Sequence, residues 1–157
     1  MYMTTAKEIF SPVYELVGET LTDIGVYYDL LKLTFGEYEI HASCFARVTC
    51  DQKVLFTTQD YQSWDEKESK HNDLYINIAD HGGSLIDRTV QSVEVSSVND
   101  LIIVLDNGAR IEIFNSNGGQ LHFTEWSEQW FFFKPKNKSY PYLSVSNGGV
   151  EREVKES

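Results

Sequence analysis

The feature that most restricts the fold is an internal repeat. Residues 16–26 read LVGETLTDIGV and residues 85–95 read LIDRTVQSVEV, an offset of 69. Leu16 falls on Leu85, Val17 on Ile86, Thr20 on Thr89, Leu21 on Val90, Ile24 on Val93 and Val26 on Val95. After small insertions, Leu31, Leu33 and Phe35 match Leu101, Ile103 and Leu105. Gly36 then matches Gly108, and Tyr38 and Ile40 match Ile111 and Ile113. A pattern that recurs at a fixed offset marks a structural unit used twice. Each copy reads as short strand, turn, strand, tight turn, strand. The repeat halves run from about 14–60 and 83–133 within a single domain of 157 residues.

The strands follow from period-two alternation. In Leu31-Lys32-Leu33-Thr34-Phe35 the apolar side chains share one face, whereas residues 101–105 are apolar throughout, as in a strand covered on both sides. Asp106-Asn107-Gly108 is a hairpin signal, because Asn-Gly accepts the positive φ angles of tight turns. Residues 38–48 read as one strand, residues 53–58 as a strand pairing back on it, and residues 74–78 as a further strand. Residues 130–133 and 142–145 form a closing hairpin with 134–139 as its loop, and 147–157 a flexible tail. One short N-terminal helix is expected at residues 4–10, capped by Thr4 or Thr5, with a second helical turn opened by Ser11-Pro12 and ending at Gly18. The expected fold is mostly β (α+β with that one helix): eight to ten strands in a two-sheet sandwich or open barrel built from an internal duplication.

Charge narrows the partners. The net charge is −11 and uneven: residues 1–133 hold 8 Lys/Arg against 21 Asp/Glu, residues 134–157 hold 5 against 3. An acidic body repels phosphate, which argues against nucleic acid and anionic membranes, and it speeds encounter with basic proteins. No apolar run approaches the ~20 residues of a membrane span. Residues 1–20 carry Lys7, Glu8, Glu15 and Glu19 and no apolar core of a signal peptide, so a cytoplasmic location is expected.

Little in the sequence points to chemistry. If residues 38–48 form one strand, Cys44 and Cys50 stand roughly 20 Å apart at ~3.3 Å per residue, beyond the ~4.4–6.8 Å a disulfide spans; two reduced thiols are expected. No zinc spacing, phosphate loop, dinucleotide fingerprint, HExxH or GxSxG occurs, so neither metal nor cofactor is expected, and the chain reads as a non-enzyme. His122 and Glu125 sit three apart, which on a strand turns them to opposite faces.

Residues 126–133 (WSEQWFFF) are the most aromatic stretch. With Trp130 and Phe132 on one face, Phe131 and Phe133 lie on the other, and a loop, a second copy or a partner must cover them. Aromatic side chains are common interface anchors. Trp126 and Trp130 have Glu125 and Glu128 beside them, and Trp64 repeats the combination with Asp65 and Glu66 on the polar connection 65–72. The expected partner-binding residues are Trp64, Asp65, Glu66, Glu125, Trp126 and Glu128.

The chain resembles a family of small bacterial duplicated β domains without assigned enzymatic activity. The resemblance rests on Leu16-Val17-Gly18, residues 31–35, Asn99-Asp100-Leu101, residues 106–111 and Thr124-Glu125-Trp126, and it covers roughly residues 14–133. The first half departs from the pattern, since Phe35-Gly36-Glu37 lacks the Asp-x-Gly turn. Similar domains are associated with immunity proteins of bacterial toxin systems. The resemblance implies a cytoplasmic immunity protein that neutralises one cognate basic toxin. Two alternatives stand beside it: a small-molecule binder or enzyme with His41, Tyr38 or His122 lining a barrel mouth, and a structural homodimer or larger homo-oligomer joined through residues 130–133.

Overall fold

A computed structural model of the chain describes residues 6–116 and 128–153. Alternation in the sequence becomes two faces in space. Leu31, Leu33 and Phe35 of β2 (Leu30–Phe35) are fully buried, while Lys32 and Thr34 between them face outward. The same logic builds β1 (Asp23–Tyr27), β3 (Tyr38–Ala42), β4 (Ala46–Cys50), β5 (Lys53–Thr57), β6 (Val90–Val95), β7 (Leu101–Leu105), β8 (Arg110–Ile113), β9 (Glu128–Phe133), β10 (Tyr142–Ser146) and β11 (Gly149–Glu153). The described residues therefore hold eleven strands, more than expected.

Two antiparallel sheets pack face to face. One has six strands in the order β1-β2-β3-β9-β10-β11, the other five in the order β5-β4-β8-β7-β6. Each is a three-strand meander completed by strands from the opposite part of the chain. β3 pairs with β9 (Ala42 opposite Trp130), and β8 pairs with β4 (Ile113 opposite Ala46). The core between the sheets holds Trp130, Phe35, Phe56, Phe132, Leu33, Ile40, Ile103 and Ile111, with Phe10, Val13 and Leu16 closing one side.

The exchange needs a break in the stretch expected to be one strand. At Ser43-Cys44-Phe45 the chain leaves the first sheet for the second. Ser43 donates its hydroxyl to Glu128 O (2.9 Å) and Gln129 O (3.1 Å), and Phe45 O accepts from Phe114 N (2.9 Å). Cys44, inside the break, is buried and Cys50 half-buried; both are free thiols, and burial pushes the Cys44 thiol up to about 12.

Thr20 and Thr89, matched at the repeat offset, face each other in an isolated antiparallel bridge. Farther along, the match slips: Leu33 pairs with Ile40 and Ile103 with Ile111. The third strands therefore correspond as Ile40 with Ile111, two residues from the sequence match. The β2–β3 turn has two residues, and the β7–β8 turn, closed by the bond from Leu105 N to Ala109 O (2.8 Å), three. In the longer turn only Gly108 takes a positive φ (85°), and Gly108 N donates to Leu105 O (3.0 Å).

Two α-helices, not one, are present among the described residues: α1 (Ala6–Ile9) and α2 (Asp73–His81). The caps expected at Thr4 or Thr5 lie outside the described residues. Ser11–Leu16 forms a 3-10 helix with proline in its first turn. α2 replaces the strand expected at 74–78. A strand would bury Leu74, Ile76 and Ile78 together, yet Ile76 is 48% exposed, while Leu74 and Ile78, four apart, face the core. Asn72 starts the helix, its side chain accepting from Tyr75 N (2.8 Å). The expected tail also changes, since Asn147-Gly148 turns the chain into β11, which pairs with β10. No helix of the described residues is long and apolar enough to cross a membrane.

Candidate functional site: an aromatic groove

The β1–β2 hairpin turns on two residues, Tyr28 and Asp29. Tyr28 has φ 55°, a conformation usual for glycine, asparagine or aspartate and costing a bulky residue ~1–3 kcal/mol. Burial does not offset this: Tyr28 is 60% exposed and Tyr27 70% exposed, their rings meeting edge to face at 4.7 Å. The turn holds two large aromatic rings in solvent at the edge of the six-stranded sheet.

A second wall comes from the segment after β5. Thr57 N and Thr57 Oγ1 donate to the Asp60 carboxylate (3.0 and 3.3 Å), which fixes a 3-10 helix at Thr58–Ser63. Its Tyr61 stacks on Trp64 at 5.6 Å, and Trp64 Nε1 donates to Glu68 O (2.8 Å). Asp65 accepts at Oδ1 from Lys67 N (2.9 Å) and Glu68 N (3.1 Å), and its Oδ2 lies 2.8 Å from His71 Nδ1. Those backbone bonds, then His71, hold the Asp65 carboxyl below its ordinary value. Ser63 ties this loop to α2, accepting from Asp73 N (2.7 Å) and donating to Asp60 O (2.9 Å). Tyr75, 39% exposed in the first turn of α2, supplies the third wall, with Lys70 Nζ 5.5 Å from its ring centre.

These elements enclose a groove of about 350 Å³ lined by Val26, Tyr27, Tyr28, Tyr61, Trp64, Ser69, Lys70 and Tyr75. Asp29 adjoins it, sharing the neighbouring cleft with Tyr61. The Trp64 indole N–H and the Asp65 carboxylate are held in structural bonds, and the lining is dominated by aromatic rings. Comparison of the chain with protein-family models, with curated proteins and with solved structures returned no match. The groove is therefore interpreted from its own chemistry.

Of the expected binding residues, Trp64 lines the groove, and Asp65 and Glu66 follow it in the same loop, Glu66 at a positive φ of 62°. Glu128 sits elsewhere, at the start of β9, where its carboxylate accepts from the Ser144 hydroxyl. Glu125 and Trp126 lie outside the described residues. The four tyrosines were missed in the sequence. Adjacent Tyr27-Tyr28 before Asp29, between two alternating strands, was the available signal.

The outward face of the six-stranded sheet carries a second aromatic cluster. Phe131 and Phe133 are half-buried, as alternation required, and His41 packs against both at 4.7 and 5.2 Å. Burial lowers the His41 pKa, partly opposed by Glu39, and buried Nε2 has no hydrogen bond, with Glu39 Oε1 3.9 Å away. Tyr38 points the other way, into the core against Phe132. Of the three residues considered for a barrel mouth, Tyr38 and His41 thus stand on opposite faces of β3, and His122 lies outside the described residues. Among the described residues no group of three or more His, Cys, Asp or Glu is placed to hold a metal ion.

Proposed function

We propose that this chain is a non-enzymatic binding protein of the immunity type, acting in the cytoplasm, which captures one basic partner protein, a bacterial toxin, through the aromatic groove and the carboxylates beside it. The observation that carries this reading is the convergence of five aromatic side chains from three separate elements on one open groove, one of them held at a strained φ. Large rings on a fixed backbone lose little entropy on binding, and interfaces concentrate their energy in such anchors. The acidic body steers a basic partner toward them. The structural use of Trp64 Nε1 and the Asp65 carboxylate favours binding over catalysis.

Calorimetric titration of the partner, captured from the host's lysate, into wild-type and Trp64→Ala protein, together with stopped-flow association at rising salt, tests the proposal. Trp64→Ala should weaken binding by ~2 kcal/mol or more, and association should slow as salt rises. A partner bound equally well by the variant, at a rate indifferent to salt, would overturn it. The homodimer alternative would use the Phe131–Phe133 face, and a monomer in sedimentation removes that reading.

We also infer that the halves β1–β5 and β6–β10 are copies of one unit, related by a two-fold axis passing between Thr20 and Thr89. Around that bridge the hydrogen bonds come in matched pairs. Leu21 N donates to Arg88 O (2.9 Å), answered by Val90 N to Glu19 O (2.8 Å); Gly18 N donates to Val90 O (2.9 Å), answered by Asp87 N to Leu21 O (2.8 Å). The sheet orders β1-β2-β3-β9-β10 and β6-β7-β8-β4-β5 interconvert when the halves are exchanged. Superposing one sheet on the other about that axis checks the idea, and strands that fail to overlay would refute it.

A further inference from the structure

We infer that the groove holds a cationic side chain of the partner, a lysine or an arginine, between the rings of Tyr28, Tyr61 and Trp64. The inference rests on the binding reading above and adds what is recognised. Aromatic faces carry partial negative charge and attract a desolvated cation within about 6 Å of the ring centre. Asp29 shares the neighbouring cleft with Tyr61, Asp65 and Glu66 directly follow Trp64 in the chain, and the whole chain carries a net charge of −11, so the charge around the rings favours a cation. Among the described residues, Tyr75 alone of the five rings holds a cation, that of Lys70, which also lines the groove. The chain makes the proposed arrangement elsewhere: Lys134 Nζ lies between Tyr38 and Tyr140, 4.6 and 4.5 Å from their ring centres. An apolar or proline-rich segment would also fit among rings, but it would gain nothing from the surrounding carboxylates.

Two capped tripeptides test this, acetyl-Gly-Lys-Gly-amide and its norleucine counterpart, which keeps the alkyl chain and lacks the ammonium. Each is titrated into the full chain while the Trp64 indole N–H is followed by NMR. The lysine peptide should shift that signal saturably and bind at least about fivefold more tightly than the norleucine peptide, as a desolvated cation–π contact implies. Tyr28→Gly should abolish the difference while the protein stays folded, because glycine suits φ 55°. Equal binding of both peptides, or of neither, overturns the cationic occupant. If the norleucine peptide binds equally well while Trp64→Ala still weakens the partner, the groove is the site and only the occupant is wrong. If the lysine peptide binds selectively while the partner ignores Trp64→Ala, the cation site stands and the partner reading falls.

Discussion

Two tryptophans show how differently this chain uses the same side chain. Trp130 is fully buried, stacks on Phe10 at 5.9 Å and donates its indole N–H to Asn99 O (2.9 Å). Trp64 stacks on Tyr61 at 5.6 Å and donates to Glu68 O (2.8 Å), yet leaves part of its ring open. Local bonding is nearly identical, and only the surroundings differ. Both sheets enclose the first, whereas a loop and a hairpin turn frame the second and leave a groove. Ring area hidden between sheets stabilises the fold; ring area held rigid in water is available to a partner.

The largest effect that could break this contrast is on stability. Trp130→Ala should cost about 3–5 kcal/mol, the usual range for emptying a large core site, measured by chemical denaturation. Trp64→Ala should cost no more than ~1 kcal/mol in the same experiment, its main loss being in binding. Comparable losses for both would make Trp64 a core residue and remove the distinction.

A pair of turns sharpens it. In the β7–β8 turn, Asn107 accepts from Ala109 N (3.0 Å) and donates to Ser84 O (3.1 Å), while Gly108 takes the positive φ. A Cβ there would meet nothing within 4 Å, so Gly108→Ala tests backbone conformation alone. It should cost about 1–2 kcal/mol. Tyr28→Gly is the reverse change in the β1–β2 turn, and it should leave stability unchanged or raise it by up to ~1 kcal/mol. Marked destabilisation by Tyr28→Gly would mean that the ring serves the fold.

The smallest effect is that of pH. His41 has a folded pKa below its ordinary 6.5, so below that value the unfolded chain binds a proton that the folded chain does not. Stability should therefore fall as pH drops from about 6.5 toward the folded pKa and level off beneath it. His41→Gln should melt with a shallower pH dependence than wild type across that window. Parallel curves would show that His41 titrates alike in both states.

The sheets were legible in the sequence because alternation alone separates Leu31, Leu33 and Phe35 from Lys32 and Thr34, and Trp130 and Phe132 from Phe131 and Phe133. Other features were not. Alternation assigns a face and is silent on which sheet a strand joins, so the crossing at Ser43-Cys44-Phe45 read as continuous strand. Leu74 to Ile78 fits period two and helical spacing alike, and the cap at Asn72 decides between them. Asn147-Gly148 was a turn signal overlooked inside a polar tail. Of the groove, only Trp64 with Asp65 and Glu66 could be picked out. Tyr27, Tyr28, Tyr61 and Tyr75 meet only after the edge of β1 has been brought beside α2, and no spacing along the chain encodes that meeting.

The crossing of strands between sheets also bears on how the molecule comes into being. β4 has no partner on its β8 side until Ile113 has left the ribosome, and β3 must wait longer, for Trp130. Pairings so distant in sequence slow the search for the native state. During synthesis the first five strands remain an unfinished surface until β8 and then β9 have been made.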